Sequence, residues 1–166
     1  MKLKEIFKKY WPLLIFPIGV IIDAVTKQAA LKLDEPIVII KNFFCFELVF
    51  NKGAAWGVLL PKWLLVSISL IASVGFLYYF FKCRGSMWMK VSTILVATGS
   101  FGNLIDRAFF KNGVIDFLSF TFGSYHFPVF NVADSFVVVG VILFLITTIV
   151  EDTDKKKVKE NGISNN

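Results

Sequence analysis

The chain is poor in the residues that build most soluble catalytic centres. Of its 166 residues, one is histidine, His126, and two are cysteine, Cys45 and Cys83. The cysteines form no CxxC pair, and with a single histidine they do not make an ordinary zinc site. Each reads as a packing or loop residue, and neither a metal nor another cofactor is expected. No GxSxG sequence occurs, and no Cys–His couple can be placed, so the usual serine and cysteine nucleophiles are missing. Charge is also scarce. Charged residues are 18% of the chain, against about 25% in a soluble domain.

Apolar residues take their place: 56% of the chain is hydrophobic and the mean hydropathy is +0.69. So small a chain cannot bury that much apolar surface in its own core, so a bilayer must solvate the excess. The net charge of +6 does not point to nucleic acid. Its lysines sit at the ends of hydrophobic runs, where they meet headgroups, and no basic run is interleaved with stacking aromatics.

A helix needs about 20 mostly apolar residues to span a bilayer. Four stretches meet this: Trp11 to about Leu33, Trp63 to Phe81, about Met87 to Ile105, and Val129 to Val150. Four lysines precede the first stretch, as in a signal peptide, but it holds Asp23 and Lys27 and no A-x-A site closes it. It is read as an uncleaved helix. The expected fold is therefore an all-α integral membrane protein of one domain, 1–166, with four transmembrane helices and a tail at 151–166. Eleven Lys and Arg flank the spans on the side of the termini, and six lie on the other: Lys32, Lys41, Lys52, Lys62, Arg107 and Lys111. This places both termini in the cytoplasm and the loops 34–62 and 107–128 outside. Ile37–Ile40 and Phe43–Phe50 read as a short hairpin or small sheet, apolar enough to lie against headgroups. Ser164–Asn166 is expected to be disordered.

Ionisable residues inside spans are expensive, about 2.5–3.5 kcal/mol each on insertion scales, and mark sites or pathways. Asp23, Thr26 and Lys27 share one helix face, and a self-neutralising Asp–Lys pair is the structural alternative to a functional role. Gly99, Asn103, Asp106 and Arg107 share a face of the third span, with glycines that allow close helix approach. Asp106 and Arg107 can also simply mark the water interface. Asn131, Asp134 and Ser135 open the fourth span, where a dipole-favoured carboxylate competes with a functional reading. Asp116 lies in the second outer loop and by composition is an ordinary loop carboxylate. All lie at one depth, the outer surface. Two carboxylates held close cannot both ionise easily, so one keeps a proton and the other acts as base. The residues alone do not choose which two.

Five segments in order resemble the lipoprotein signal peptidase (signal peptidase II) family over about residues 11–150. They are Asp23-Ala24-Val25-Thr26-Lys27, Asn51-Lys52-Gly53-Ala54-Ala55-Trp56-Gly57, Gly99 to Arg107, Val114 to Phe117 and Phe130 to Asp134. The resemblance implies that Asp116 and Asp134 are the catalytic pair of an aspartic endopeptidase. Asn51, Asn103, Arg107 and Asn131 would line the substrate groove, and Asp23, Lys27, Gly53, Trp56 and Asp106 would support it. It also implies that 37–50 belongs to an extracytoplasmic β-cradle. The implied substrate is a prolipoprotein whose cysteine already carries diacylglycerol, cut on the amino side of that cysteine. Partners are that substrate and membrane lipids, and a monomer is expected. A proton-coupled transporter and a non-catalytic lipid-binding scaffold are the competing readings. The first needs acidic residues near mid-membrane, and the second tolerates Asp-to-Asn changes.

The charge distribution predicts that an impermeant thiol reagent labels Cys45 in intact cells and Cys83 only after the membrane is opened. Labelling of Cys83 in intact cells would reverse the orientation.

Overall fold

The computed structural model describes residues 3–53 and 58–163. Trp56 and the Ser164–Asn166 segment lie outside the described residues. The first span begins earlier than its hydropathy suggests. Helix α1 (Leu3–Tyr10) passes through a 3-10 turn at Trp11–Leu14 into α2 (Ile15–Ala30). Buried Pro12 sits at the start of that turn, where its missing N–H breaks the α-helical ladder. Helices α3 (Lys62–Lys82) and α4 (Met87–Phe109) follow, and α5 runs over Val132–Ile163.

The last helix differs from expectation at both ends. Phe130 is not helical: its carbonyl accepts from the N–H groups of Phe117 and Leu118 at 3.0 and 2.8 Å. At the other end α5 continues 13 residues beyond Val150, through the segment read as a tail. Four lysines and two glutamates favour the helix there, no proline interrupts it, and Glu151 anchors it. The Glu151 carboxylate accepts from the Ser86 N–H at 2.7 Å, across the α3–α4 connection.

Among the described residues three helices are long and apolar enough on their own to cross a membrane: Leu3–Ala30, Lys62–Lys82 and Val132–Val158. Helix α4 is not among them, and its surroundings explain why. Fourteen of its 23 residues are buried, against four of 21 in α3. It is the inner helix, packed against α2, α3 and α5, so its serines, threonines and Asn103 face protein and need no lipid-compatible surface. At 1.5 Å per residue it is about 34 Å long, comparable to the hydrocarbon core.

The segments after α2 and after α4 build a single four-stranded antiparallel sheet in the order β1 (Ile37–Ile40), β2 (Phe44–Asn51), β3 (Val114–Phe122), β4 (Tyr125–His126). The first two strands match the expected hairpin; β3 was not anticipated. Asp116, read as a loop carboxylate, is central in a strand and pairs in register with Val49. Its strand signal is present in the run Val114-Ile115-Asp116-Phe117-Leu118-Ser119-Phe120, where Val114, Ile115, Phe117 and Phe120 are β-branched or aromatic. Phe44 and Phe130 each stack on Phe120, with centroids 4.6 and 5.7 Å apart. Ile115 and Phe117 pack on Ala30 at the end of α2. This seats the sheet on the helix ends. Gly113 enters β3 at φ +99°, and a Cβ there would strike the Asn51 carbonyl, so the turn requires glycine.

Close packing also sets the helix contacts. A Cβ on Gly102 would lie 2.5 Å from Asp23 Oδ2. Gly102→Ala is expected to lower stability by about 1–3 kcal/mol, read as a drop in the thermal midpoint in detergent. An unchanged midpoint would show that α2 and α4 can separate freely.

Candidate active site

One ammonium group organises the polar cluster. Lys27 is 2% exposed, and its Nζ lies 2.7 Å from Asp23 Oδ2 and 2.9 Å from Asp106 Oδ2. It also donates to Asn103 Oδ1 at 3.2 Å. All three ammonium hydrogens are used. The Asp23–Lys27 pair is therefore not self-contained; it is part of a cluster with two carboxylates and one amide. Thr26 stays out of it, with its hydroxyl bonding the Ile22 and Asp23 carbonyls of its own helix.

The second hydrogen bond of each carboxylate reaches a different element. Asp23 Oδ1 accepts from the Ala133 N–H at 2.9 Å, and Asp106 Oδ2 accepts from the Ile115 N–H at 3.2 Å. Each of these backbone groups belongs to the residue just before an aspartate, Asp134 in one case and Asp116 in the other. The ion cluster thus fixes the backbone that carries both.

Asparagines hold the two aspartates. Lysine has no acceptor, so Asn103 must turn its oxygen to Lys27, which aims its amide nitrogen at Asp134 Oδ1, 2.7 Å away. Asn131 and Asp134 form a reciprocal capping box at the start of α5. Asp134 N donates to Asn131 Oδ1 at 2.9 Å, and Asn131 N donates to Asp134 Oδ2 at 3.2 Å. The helix-start role that competed with function is therefore real, because α5 begins three residues later than the hydropathy suggested. The Asn131 amide nitrogen then donates to Asp116 Oδ1 at 2.6 Å, and Asn51 donates to Asp116 Oδ2 at 3.0 Å. Asn51 is itself fixed by an Asx turn, with its oxygen accepting from the Gly53 N–H at 2.9 Å. One asparagine, Asn131, therefore bonds both carboxylates, that of Asp116 through its side chain and that of Asp134 through its backbone N–H.

Asp116 is 1% exposed, while Asp134 is half-buried. Burial first, then the negative charge of Asp134, pushes the Asp116 carboxyl up to about 7; the amides of Asn51 and Asn131 pull the other way. Asp134 sits at the positive end of the α5 dipole, which favours negative charge. The pair thus has one group able to give a proton and one able to take it.

Arg107 departs from the expected common face. It is one residue, about 100° of helix, from Asp106, and turns toward α3, donating to Ser69 Oγ at 2.9 Å. It lines a cavity of about 150 Å³ together with Asn51, Lys52, Lys62 and Lys111. Sequence reasoning did not find Ser69, and no motif marks it. It is one of two buried serines on α3, with Ser73.

The fold brings the carboxylates of Asp116 and Asp134 to one asparagine, and comparison with known proteins gives the class of the chain. Residues 15–150 match the family model described as Signal peptidase II. The lipoprotein signal peptidase of Clostridium tetani is 41% identical over 84% of this chain and 93% of its own length. That of Staphylococcus aureus strain MRSA252 is 36% identical over 92% and 98%. A solved structure described as a bacterial membrane enzyme, determined by the in meso method, superposes with a TM-score of 0.77 at 34% identity, covering 87% of this chain and 90% of that one. The chain belongs to the signal peptidase II family, and it is a peptidase. That membership removes the transporter and scaffold readings.

Lys27→Ala leaves Asp23 and Asp106 buried without a cation, which costs roughly 3–5 kcal/mol. Membrane accumulation and the thermal midpoint should both fall. Normal abundance with lost cleavage would instead make Lys27 a direct participant in the chemistry.

Proposed function

We propose that Asp116 and Asp134 are the catalytic pair with which this signal peptidase II removes the signal peptide of prolipoproteins. The observation that carries the reading is Asn131, whose side-chain amide donates to the Asp116 carboxylate and whose backbone N–H donates to the Asp134 carboxylate. It places a raised, buried carboxyl beside a half-buried carboxylate on a helix N-terminus. In this mechanism Asp134 takes a proton from a water molecule as the water oxygen attacks the scissile carbonyl carbon. Protonated Asp116 hydrogen-bonds the carbonyl oxygen as it gains charge. When the tetrahedral intermediate collapses, the C–N bond breaks and the leaving amine receives a proton from the pair. Asn51, Asn103 and Asn131 hold the aspartates, and Arg107 supplies donors to the peptide beside them.

The substrate is a prolipoprotein cut on the amino side of its diacylglyceryl-modified cysteine, so the leaving amine belongs to the lipidated product. A site at the junction of sheet and helix ends suits it, with acyl chains in the bilayer and the peptide at its surface. We place four helices across the membrane, with α4 spanning inside the other three. Both termini are cytoplasmic, the sheet and site are at the outer face, and a single domain over 1–166 acts as a monomer. The excess of lysine and arginine around the termini supports that orientation. Gly53 belongs to the outer segment beside the groove.

Asp116→Asn and Asp134→Asn keep shape and hydrogen bonding but cannot cycle a proton. Each should lower kcat on a lipidated prolipoprotein by roughly a hundredfold or more, with abundance intact and the double variant little worse than either single. Asp106→Asn should damage stability more than the chemical step. The reaction needs the proton held by the pair, so kcat/KM of the wild type should decline as pH rises through about 7. Normal cleavage by Asp116→Asn, with an inactive Asp106→Asn at normal abundance, would move the pair.

A further inference from the structure

The cavity beside Arg107 breaks several local rules at once. Lys52, Lys62, Arg107 and Lys111 line it, four of the six basic residues on the side assigned to the outer face. Like charges converge there, yet among the described residues none of the four has a carboxylate within 4.0 Å. Lys62 makes one long bond, 3.4 Å to the Phe110 carbonyl. Arg107 Nε is buried and has no hydrogen-bond partner, although NH1 is held by Ser69.

The start of α3 adds to the same field. Its N-cap is Pro61, which offers no side-chain acceptor, and its first turn contains no acid. A lysine occupies the first helical position instead, where the dipole disfavours a cation. Positive charge has accumulated where folding alone would place a carboxylate, which suits a site that holds an anion.

The surroundings identify which anion. Leu59, Trp63 and Phe109 flank the cavity in sequence and are 80, 70 and 81% exposed. Trp63 stands at the end of an apolar helix long enough to cross a membrane, the usual position of an interfacial tryptophan. Cationic groups inside an apolar rim at headgroup depth match a phosphodiester whose acyl chains lie along the rim. The cavity volume of about 150 Å³ admits the phosphate but not the chains.

We propose that this cavity is a subsite for the phosphate of an anionic phospholipid, held by Lys52, Lys62, Lys111 and the α3 N-terminus with Arg107 at its inner wall. The subsite adjoins the aspartate pair through Asn51, which lines the cavity and bonds Asp116. It rests on the membrane placement and not on the peptidase reaction, so its test uses no substrate.

The test compares the full chain in phosphatidylcholine nanodiscs with and without phosphatidylglycerol, counting retained lipids by native mass spectrometry. The wild type should retain phosphatidylglycerol in preference to phosphatidylcholine. That preference should fall by roughly fivefold in Lys62→Gln and roughly thirtyfold in Lys62→Gln/Lys111→Gln, from about 1 kcal/mol for each lysine near an anionic surface. The charge-matched control Lys32→Gln/Lys41→Gln should keep it. Equal loss in the control would show that only bulk charge attracts the lipid, and no loss in either double variant would remove the site; both results overturn the proposal. So does a thermal shift produced by inorganic phosphate in phosphatidylcholine nanodiscs that matches the shift from phosphatidylglycerol, because the site would then take a free anion.

Discussion

A lysine ammonium buried at the end of a membrane helix has to find three acceptors, and the rest of the site follows from where Lys27 finds them. Two are carboxylates from different helices and the third is an amide. A charge in a water-poor interior is tolerable only when paired and hydrogen-bonded, so α2 and α4 cannot shift relative to each other without exposing an unpaired ion. The two carboxylates then use their remaining acceptor capacity on the N–H groups of Ala133 and Ile115. The ion cluster touches neither Asp116 nor Asp134 by an ion pair, yet it holds the chain on which each is mounted.

The same economy of contacts appears at the start of α5. Asn131 and Asp134 cap that helix reciprocally, so the geometry that satisfies orphan N–H groups also orients the carboxylate. Asn131 then spends its amide hydrogens on Asp116 and neighbouring oxygens. Stability and site geometry share these bonds. A change at Asn131 therefore removes a cap and uncouples two aspartates in one step.

Membrane placement explains the division of labour among the helices. Helices α2, α3 and α5 present exposed apolar side chains, which shields α4 from lipid and allows it to carry Asn103 and Asp106 deep in the bundle. The sheet completes the site at the helix ends. Its strands come from the segments after α2 and after α4, and the β2–β3 pairing brings Asn51 to Asp116 although 65 residues separate them.

The amino-acid sequence by itself determined the membrane class, the apolar runs, the charge asymmetry and the polar residues worth attention. These are written in composition and one-dimensional periodicity, and motifs such as Asp23 to Lys27 and Asn131 to Asp134 sit within single helical turns. Helix limits were less legible, because hydropathy tracks lipid contact and not hydrogen bonding. The 3-10 turn at Pro12 and the solvated end of α5 both escaped it, and Asp116 passed for a loop residue despite its β-branched and aromatic neighbours. Tertiary structure alone decided which residues meet. Lys27 joins Asp106 across 79 positions, Asn103 reaches Asp134, and Arg107 leaves its apparent face for Ser69 on α3. Sequence patterns specify which face of an element is polar. Which partner that face meets depends on the packing of elements distant in the chain, and no local pattern encodes it.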